Sequence, residues 1–310
     1  MSSSYLPEGQ RLDTPENLAA TESLTSLQWA MDQESILEGR VQLCTPTHDL
    51  VLSIGKFTGI IPREEAAMGI REGKTREIAI LSRVGKPAAF TVQSISMADG
   101  TPKLICSRRR AQELALHYLL NELPLGSVIP AVVTHIESFG VFADIGCGFV
   151  SMIGIENLSV SRISHPSRRM TVGQPIYVVV TDTDKEQERV YLSHKELLGT
   201  WEENAALFTP GMTVTGYVRG IKEYGSFIEL TPNLTGLADR TEGLDEDDRV
   251  SVYIKGILPD RMKIKLLVIR RLEPLEAPPP ISYHMTQGRL LQWRYPPTCC
   301  DRTGMETVFA

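Results

Sequence analysis

Two pairs of aromatic residues stand at the same spacing in different parts of the chain, and a glycine follows the first ring of each pair. The pairs are Phe139 with Phe142 and Tyr224 with Phe227. An exposed aromatic ring can stack on a nucleobase, which contributes about 1–3 kcal/mol per base. We call each pair an aromatic platform; its chemistry depends on which way the underlying strand turns the rings.

Side-chain alternation predicts the direction of Phe142. Successive residues of a β-strand point to opposite faces, so Val141, Ala143 and Ile145 share a face that suits a barrel interior. Phe142 shares the other face with Asp144. The charge predicts that this face meets water and that Phe142 is partly exposed.

The second platform repeats the pattern, with Ser226, Ile228 and Leu230 on one face and Phe227 with Glu229 on the other. For one copy alone, core aromatics of an ordinary β-domain are an equal alternative. The repetition favours exposed rings.

The platforms belong to an internal repeat. Residues 126–142 align with residues 211–227 at an offset of 85. Short β-rich runs with Gly and Asp punctuation are typical of a small antiparallel barrel. A weaker third copy is predicted at residues 37–107, where residues 50–55 match residues 141–146.

The predicted fold class is mostly β: tandem five-stranded OB-fold barrels with linker helices and a helical N-terminal leader. Asp13–Glu16 reads as a capped helix start, and residues 108–123 show helical spacing. The predicted units are residues 1–35 (acidic helical leader), 36–107 (degenerate barrel), 108–125 (linker helix), 126–200 (complete barrel), 211–271 (shortened barrel) and 272–310 (Pro-rich tail, docked or separate, with Pro274, Pro278, Pro279 and Pro280).

The formal net charge of −6 argues against a large non-specific binder of duplex DNA. Residues 1–35 hold one Arg against six acids, whereas residues 211–271 hold ten basic residues against nine acids. The nearly neutral repeats must therefore bind nucleic acid partly by stacking. An odd cysteine count, no apolar run of membrane-spanning length and no basic start followed by an apolar run predict a reduced cytoplasm, no membrane and no signal peptide.

Residues 126–200 resemble the RNA-binding repeat of bacterial small-subunit ribosomal protein S1 (S-one). The resemblance is carried by Phe139–Phe142, Asp144–Gly146, Arg162–Pro166, Val172–Gln174 and Arg189–Ser193. A shortened copy resembles it at residues 211–269, and residues 37–107 resemble the degenerate first repeats of such proteins through Gly55–Pro62.

The resemblance implies OB barrels and single-stranded RNA as the ligand. It implies base stacking on both platforms, phosphate contacts from a basic residue near the fifth strand, and an acid just before it. The implied RNA-binding residues are Phe139, Phe142, Arg189, Asp184, Tyr224, Phe227 and Lys263. It implies no metal and no cofactor.

The chain departs from the family pattern in two ways. Gly154, Asp239 and Pro62 stand where the family usually has a histidine. In the first repeat His48 and Val51 replace the two aromatics, so we expect no platform there. Such first repeats can serve instead as protein-docking modules.

Other clusters have two interpretations each. Arg108–Arg110 contacts phosphates or is a solvated helix start, and Arg289–Tyr295 binds RNA or is a docked tail. His165 is expected to be structural, Asp245–Asp248 a solvated loop, and Cys299–Cys300 a pair of free thiols.

No phosphate-binding loop, dinucleotide fingerprint or nucleophile elbow is present, and Asp182–Glu188 reads as a hairpin end. The sequence therefore predicts no enzyme but a single-stranded RNA (mRNA) binding protein of the ribosomal S1 type, acting in translation with the small ribosomal subunit. The alternatives are a non-ribosomal RNA-binding regulator, a protein-interaction module with weakened RNA binding, and an accessory part of a ribonuclease.

Overall fold

The structure is a computed structural model that describes residues 5–98, 100–275, 279–300 and 304–309. Met1–Ser4 of the leader, Pro278 of the proline cluster and residues 301–303 of the tail lie outside the described residues. The described chain is mostly β, as predicted, with three five-stranded units in sequence.

The leader consists of two short helices, α1 (Pro15–Ala20) and α2 (Leu24–Asp32). Thr14 caps α1, because its side chain accepts a hydrogen bond from the Asn17 amide, as its position before a first-turn proline predicts. Ser23 caps α2 in the same way. Leu27 and Ala30 of α2 are buried against the first barrel.

Barrel 1 is a closed barrel with strand order β1-β2-β3-β5-β4. Its strands are β1 (Leu37–Cys44), β2 (Leu50–Ile54), β3 (Phe57–Ile61), β4 (Pro87–Ala98) and β5 (Thr101–Ser107). A short helix, α3 (Ile78–Leu81), interrupts the connection between β3 and β4. The linker helix α4 (Arg108–Asn121) follows β5 directly, capped by Ser107.

Barrel 2 has the strand order β10-β9-β6-β7-β8. Its strands are β6 (Val128–Glu137), β7 (Gly140–Asp144), β8 (Val150–Gly154), β9 (Pro175–Asp184) and β10 (Arg189–Ser193). The sheet has no ladder between β8 and β10 among the described strands. These strands nevertheless pack together, and the Ser151 hydroxyl donates to the Val190 carbonyl.

Barrel 3 follows the helix α5 (Trp201–Ala205) and closes with the order β11-β12-β13-β15-β14. Its strands are β11 (Thr213–Lys222), β12 (Gly225–Thr231), β13 (Leu234–Ala238), β14 (Arg249–Leu258) and β15 (Lys263–Arg271). Val218, Ile228 and Val252 are fully buried, since the alternation of apolar side chains fills the interior.

The described part of the tail packs against barrels 2 and 3. It forms a two-stranded sheet of β16 (Gln292–Arg294) and β17 (Glu306–Val308). Trp293 and Tyr295 are only 6% and 4% exposed and belong to the core cluster of barrel 3. The Leu290 amide donates to the Gly126 carbonyl, and the Val128 amide donates to the Gly288 carbonyl. The tail therefore returns the chain to the beginning of barrel 2.

Candidate nucleic-acid interface

The two platforms have the same geometry. Phe139 and Phe142 lie with ring centroids 6.2 Å apart and ring planes at 86°. Tyr224 and Phe227 show the same separation and the same angle. Such edge-to-face packing holds the rings in place without hiding their outer faces.

The corner ring of each platform is open to solvent. Phe139 is 54% exposed and Tyr224 is 68% exposed. Phe142 and Phe227, on the second strands, are half-buried. No ring of either pair is sealed inside its barrel, so each pair offers an aromatic surface to a flat ligand.

The residue opposite the strand phenylalanine differs between the copies. A bulge in the first strand sets His135 opposite Phe142 and Gly220 opposite Phe227. The centroids of His135 and Phe142 are 6.2 Å apart, at an angle of 37°. The His135 Nε2 lies 2.7 Å from a carboxylate oxygen of Glu137. Barrel 2 thus gains a third aromatic ring that the repeat alignment alone does not reveal.

The prediction that Asp144 and Glu229 mark a water-exposed face is wrong. Both are 4% exposed. Asp144 accepts hydrogen bonds from the amides of Glu8, Gly146 and Gly148 at 2.8–3.0 Å. The leader covers Asp144, so the alternation gave the correct face for Phe142 but the wrong reason for its exposure.

Glu229 is covered by barrel 2. Arg169 donates two hydrogen bonds to its carboxylate, at 2.7 and 2.8 Å, and Arg219 Nε donates a third at 2.9 Å. Burial pushes the pKa of Glu229 up, but the hydrogen bonds and charges of both arginines outweigh that effect and hold the pKa below its usual value. Glu229 is therefore an ionised, fully partnered carboxylate between two barrels.

The two predicted backbone-binding cations occupy equivalent places. Arg189 is the first residue of β10 and pairs across the ladder with Asp184; Lys263 is the first residue of β15 and pairs with Leu258. Both side chains are exposed. The structure brings neither within a described contact of a platform ring.

Strand pairing connects the second platform with a cation, Lys265, that the sequence analysis did not single out. Phe227 pairs with Leu237 on β13, and Leu237 pairs with Lys265 on β15. Lys265 is exposed. In barrel 2 the same row continues from Phe142 to Met152, which is 42% exposed. Alternation along β15 marks Lys265 as outward-facing, but only the register across three strands connects it with the ring.

Asp184 has a structural role. Its Oδ1 accepts hydrogen bonds from the amides of Glu186 and Gln187, at 3.0 and 2.9 Å, so it caps the turn that leads to Arg189. The positions that lack the family's histidine are filled differently. Asp239 forms a 2.9 Å ion pair with Lys255, and the carboxylate of Glu156 lies where a side chain at Gly154 would begin.

Barrel 1 has no counterpart to the platforms at the two aligned positions. Val51 on β2 is half-buried, and His48 lies in the preceding turn with Nδ1 3.3 Å from Glu77. Neither residue offers a broad aromatic face.

The arginines at the start of α4 are all paired with carboxylates, and only Arg110 forms its pair at the surface. Arg108 is buried against Glu8, Arg109 pairs with Glu65 and Glu113, and Arg110 pairs with Glu34. Arg108–Arg110 therefore form an ion-paired helix start, in place of the predicted phosphate contact or solvated helix start.

The acidic run is likewise not simply a solvated loop. Asp247 pairs with Arg219 and Arg168, and Asp248 pairs with Arg271. His165 has the expected structural role, since its Nδ1 accepts from the Ser167 amide. Cys299 and Cys300 are free thiols.

The tail aromatics cannot stack on bases in this arrangement, because Trp293 and Tyr295 are buried. Within the described ranges, no group of three or more His, Cys, Asp or Glu side chains is arranged to hold a metal ion. None of the helices formed by those residues is long and apolar enough to span a membrane.

The chain is one of tandem OB barrels, and comparison with known proteins finds the family that barrel 2 matches. Residues 122–195 match the S1 RNA binding domain family. The chain thus contains an S1 RNA-binding domain, centred on barrel 2.

Two relatives extend the likeness beyond barrel 2. The small ribosomal subunit protein bS1 of Leuconostoc lactis is 30% identical over 233 residues, which cover 70% of this chain and 52% of the relative. The bS1 homolog of Bacillus subtilis is 30% identical over 183 residues, which cover 55% and 47%. The chain spans about half the length of these relatives.

Among solved structures, a multidomain protein with nucleic acid binding domains from Streptococcus pneumoniae is similar over 78% of this chain and 75% of that one. The sequence identity is 15% and the TM-score is 0.27.

Proposed function

We propose that the protein binds single-stranded RNA by stacking bases on its two aromatic platforms, and that it does so as a binding protein, not as an enzyme. The observation that carries the proposal is the matched geometry of the two ring pairs, each with an exposed corner ring. Two barrels that keep the same ring arrangement, while their neighbouring residues differ, are suited to the same kind of flat ligand.

Exposed cations on the last strands of barrels 2 and 3 fit a flexible strand as the ligand. Arg189, Lys263 and Lys265 are exposed cations on the last strands of their barrels. Single-stranded nucleic acid can place its bases on rings and its phosphates on such cations at the same time. A rigid duplex keeps its bases stacked on one another, so their faces are not free to lie on the rings.

We propose that the natural ligand is messenger RNA and that the protein acts in translation together with the small ribosomal subunit. The names of the bS1 relatives support this proposal. A non-ribosomal RNA-binding regulator uses the same platforms, so co-sedimentation with small subunits distinguishes the two roles.

A protein-interaction module with weakened RNA binding is the second candidate. The absent family histidine at Gly154 and Asp239 and the paired state of Arg108–Arg110 favour it. Barrel 1, which lacks aromatics at both aligned positions, is the proposed protein-docking unit in either case.

The deciding experiment is fluorescence anisotropy with a labelled single-stranded oligouridylate and a duplex of equal length, each at two salt concentrations. We expect tighter binding of the single strand, and a loss on Tyr224→Ala. Trp29→Ala is the matched control, because Trp29 is an exposed aromatic (64%) on α2 of the leader. Equal affinity of wild type and Tyr224→Ala contradicts the stacking proposal.

A further inference from the structure

The connection between β8 and β9, residues 155–174, is hydrogen-bonded to the first platform at its start and next to the second platform near its end. At its start, the Ile155 amide donates a 2.9 Å hydrogen bond to the carbonyl of Phe139, the corner residue of the first platform. Near its end, Arg169 grips Glu229, which stands two residues after Phe227 on the same face of β12. One segment is therefore hydrogen-bonded to the backbone of the first platform and to a residue two positions from the second.

Between these ends the connection follows the turn from β12 to β13. The Ser161 amide donates to the Pro232 carbonyl at 3.0 Å, and the Val160 amide donates to Asn233 Oδ1 at 3.0 Å. Asn233 in turn donates to the carbonyls of Lys195 and Gly199. The segment is thus attached along its length and not only at its ends.

The charges at the far end form a buried network. Arg169, Glu229 and Arg219 have side chains only 4–7% exposed. Arg219 also reaches Asp247, which pairs with Arg168 at 3.0 Å. A buried network of this kind contributes little net stability but fixes one arrangement, because any other arrangement leaves a buried charge unpaired.

The lengths of the connections agree with this role. The β8–β9 connection has 20 residues (155–174), whereas the matching β13–β14 connection of barrel 3 has 10 (239–248). The β3–β4 connection of barrel 1 also reaches forward, since Glu65 pairs with Arg109 of α4 and the Met68 amide donates to Gln112. The two long connections are thus the ones that contact the element following their own barrel, α4 in one case and barrel 3 in the other.

We infer that the β8–β9 connection, locked by Arg169 on Glu229, holds the two platforms at one fixed separation, so that a single RNA strand engages both as one surface. The inference rests on the proposed function. Arg169 is a positioning residue: it acts through Glu229 and the connection, and its contribution is avidity. With fixed geometry, the second platform binds at a high effective concentration once the first is occupied.

The test compares two oligouridylates, one of about 5 nucleotides, which fits one barrel, and one of about 25 nucleotides, which can reach both. The quantity measured is the ratio of their affinities. Statistical gains from extra registers on the long strand are the same for every variant and cancel between variants. Arg169→Gln removes the ion pair by which the connection holds Glu229, while Glu229 keeps Arg219 within barrel 3.

We expect Arg169→Gln to lower the long-to-short ratio by about 10-fold or more and to leave the affinity for the short RNA within about twofold. The control is Arg162→Gln, which removes an equal charge from an exposed position of the same connection and should keep the wild-type ratio. Arg169→Lys keeps the charge but loses the bidentate hydrogen bonding to Glu229, and should lower the ratio partially. This variant supplies the test if the Gln variant does not fold.

An unchanged ratio in the folded Arg169 variant overturns the inference while leaving RNA binding intact. An equal fall in Arg162→Gln overturns it as well, because the effect is then one of charge. Failure of the wild type to bind either oligouridylate is a different result: it removes the proposed function, and the inference with it.

Discussion

The hydroxyl of Tyr283, in the tail, donates a hydrogen bond to Nε2 of His194, at the end of barrel 2, across 3.0 Å. The ring is oriented from its other side, where Nδ1 donates to the Leu158 carbonyl at 2.8 Å. Tyr283 also accepts from the Tyr177 amide. His194 is fully buried, and burial favours the neutral imidazole, which can form both hydrogen bonds.

Burial, helped by the charge of Arg169, lowers the pKa of His194 from 6.5 to about 4. In the unfolded chain His194 takes up a proton near pH 6.5, whereas in the fold it resists protonation. Neutral His194 therefore stabilises the fold fully above pH 6.5, and this contribution is lost as the pH falls toward 4. Between pH 7.5 and pH 5 the loss is about 2 kcal/mol.

Two carboxyl groups act in the opposite direction. Burial raises the pKa of Asp144 and of Glu38 to about 7, so their effect makes the fold less stable as the pH rises toward 7. The His194 contribution is isolated by His194→Gln. We expect the free energy of urea unfolding to fall by about 2 kcal/mol more in wild type than in the variant between pH 7.5 and pH 5. Identical pH dependence in both proteins argues against a neutral buried His194.

Phe142→Ala is expected to weaken binding of single-stranded RNA by about 1–3 kcal/mol, because it removes one stacking ring from barrel 2. Phe139→Ala should have a similar effect on binding and almost none on stability, since that ring is mostly exposed. Calorimetric titration measures the binding, and thermal unfolding reports the fold. If Phe142→Ala unfolds the protein, its ring is a core residue and the first platform needs revision.

Lys265→Ala is expected to reduce the salt dependence of RNA binding. Each phosphate contact on a single strand adds about 0.7 to the slope of log K against log salt, so the variant should show a slope shallower by about that amount. Lys255→Ala serves as the control, because Lys255 is already paired with Asp239. Equal slopes for wild type and Lys265→Ala would mean that Lys265 does not contact a phosphate of the bound RNA.

The Glu8 side chain holds the leader on α4 and on barrel 1. Its Oε1 lies 2.6 Å from Nε of Arg108, and both side chains are at most 6% exposed. Burial pushes the pKa of Glu8 up, but Arg108 and Arg83 outweigh that effect and keep it below its usual value. Glu8→Ala leaves Arg108 buried without its charge partner, and we expect a loss of about 3–5 kcal/mol.

Glu34→Ala is the comparison for Glu8→Ala. Glu34 pairs with Arg110 at the surface, so its removal should cost about 1 kcal/mol or less. Urea denaturation followed by circular dichroism measures both. Similar losses in the two variants contradict a special role for the buried pair.

The fold was predictable because alternation and turn residues are local signals. Residues 141–145 show their inner and outer faces without any knowledge of neighbours, and the repeat offset carries the same conclusion to barrel 3. The exposure of Asp144 and Glu229 was not predictable, since what covers them is distant in sequence. The Glu8 amide is 136 residues from Asp144, and Arg169 is 60 residues from Glu229.

The sequence was sufficient to predict the rings of the candidate site, but not all of the charged residues around them. A spacing of three residues marks Phe139 with Phe142, whereas Lys265 joins the second platform only through the pairing of β12, β13 and β15. His135 needed the bulge in β6 to come opposite Phe142. Register and bulges are decided by pairing partners, which a single strand does not specify.

The tail leaves barrel 3, crosses to barrel 2 and binds the backbone of residues 126 and 128. Because Trp293, Tyr295 and Phe309 are buried in a core shared with Val128 and Val250, neither barrel can open without exposing part of the other's interior. Barrels 2 and 3 should therefore melt as a single cooperative block, in which a loss anywhere along the tail is felt at both aromatic platforms.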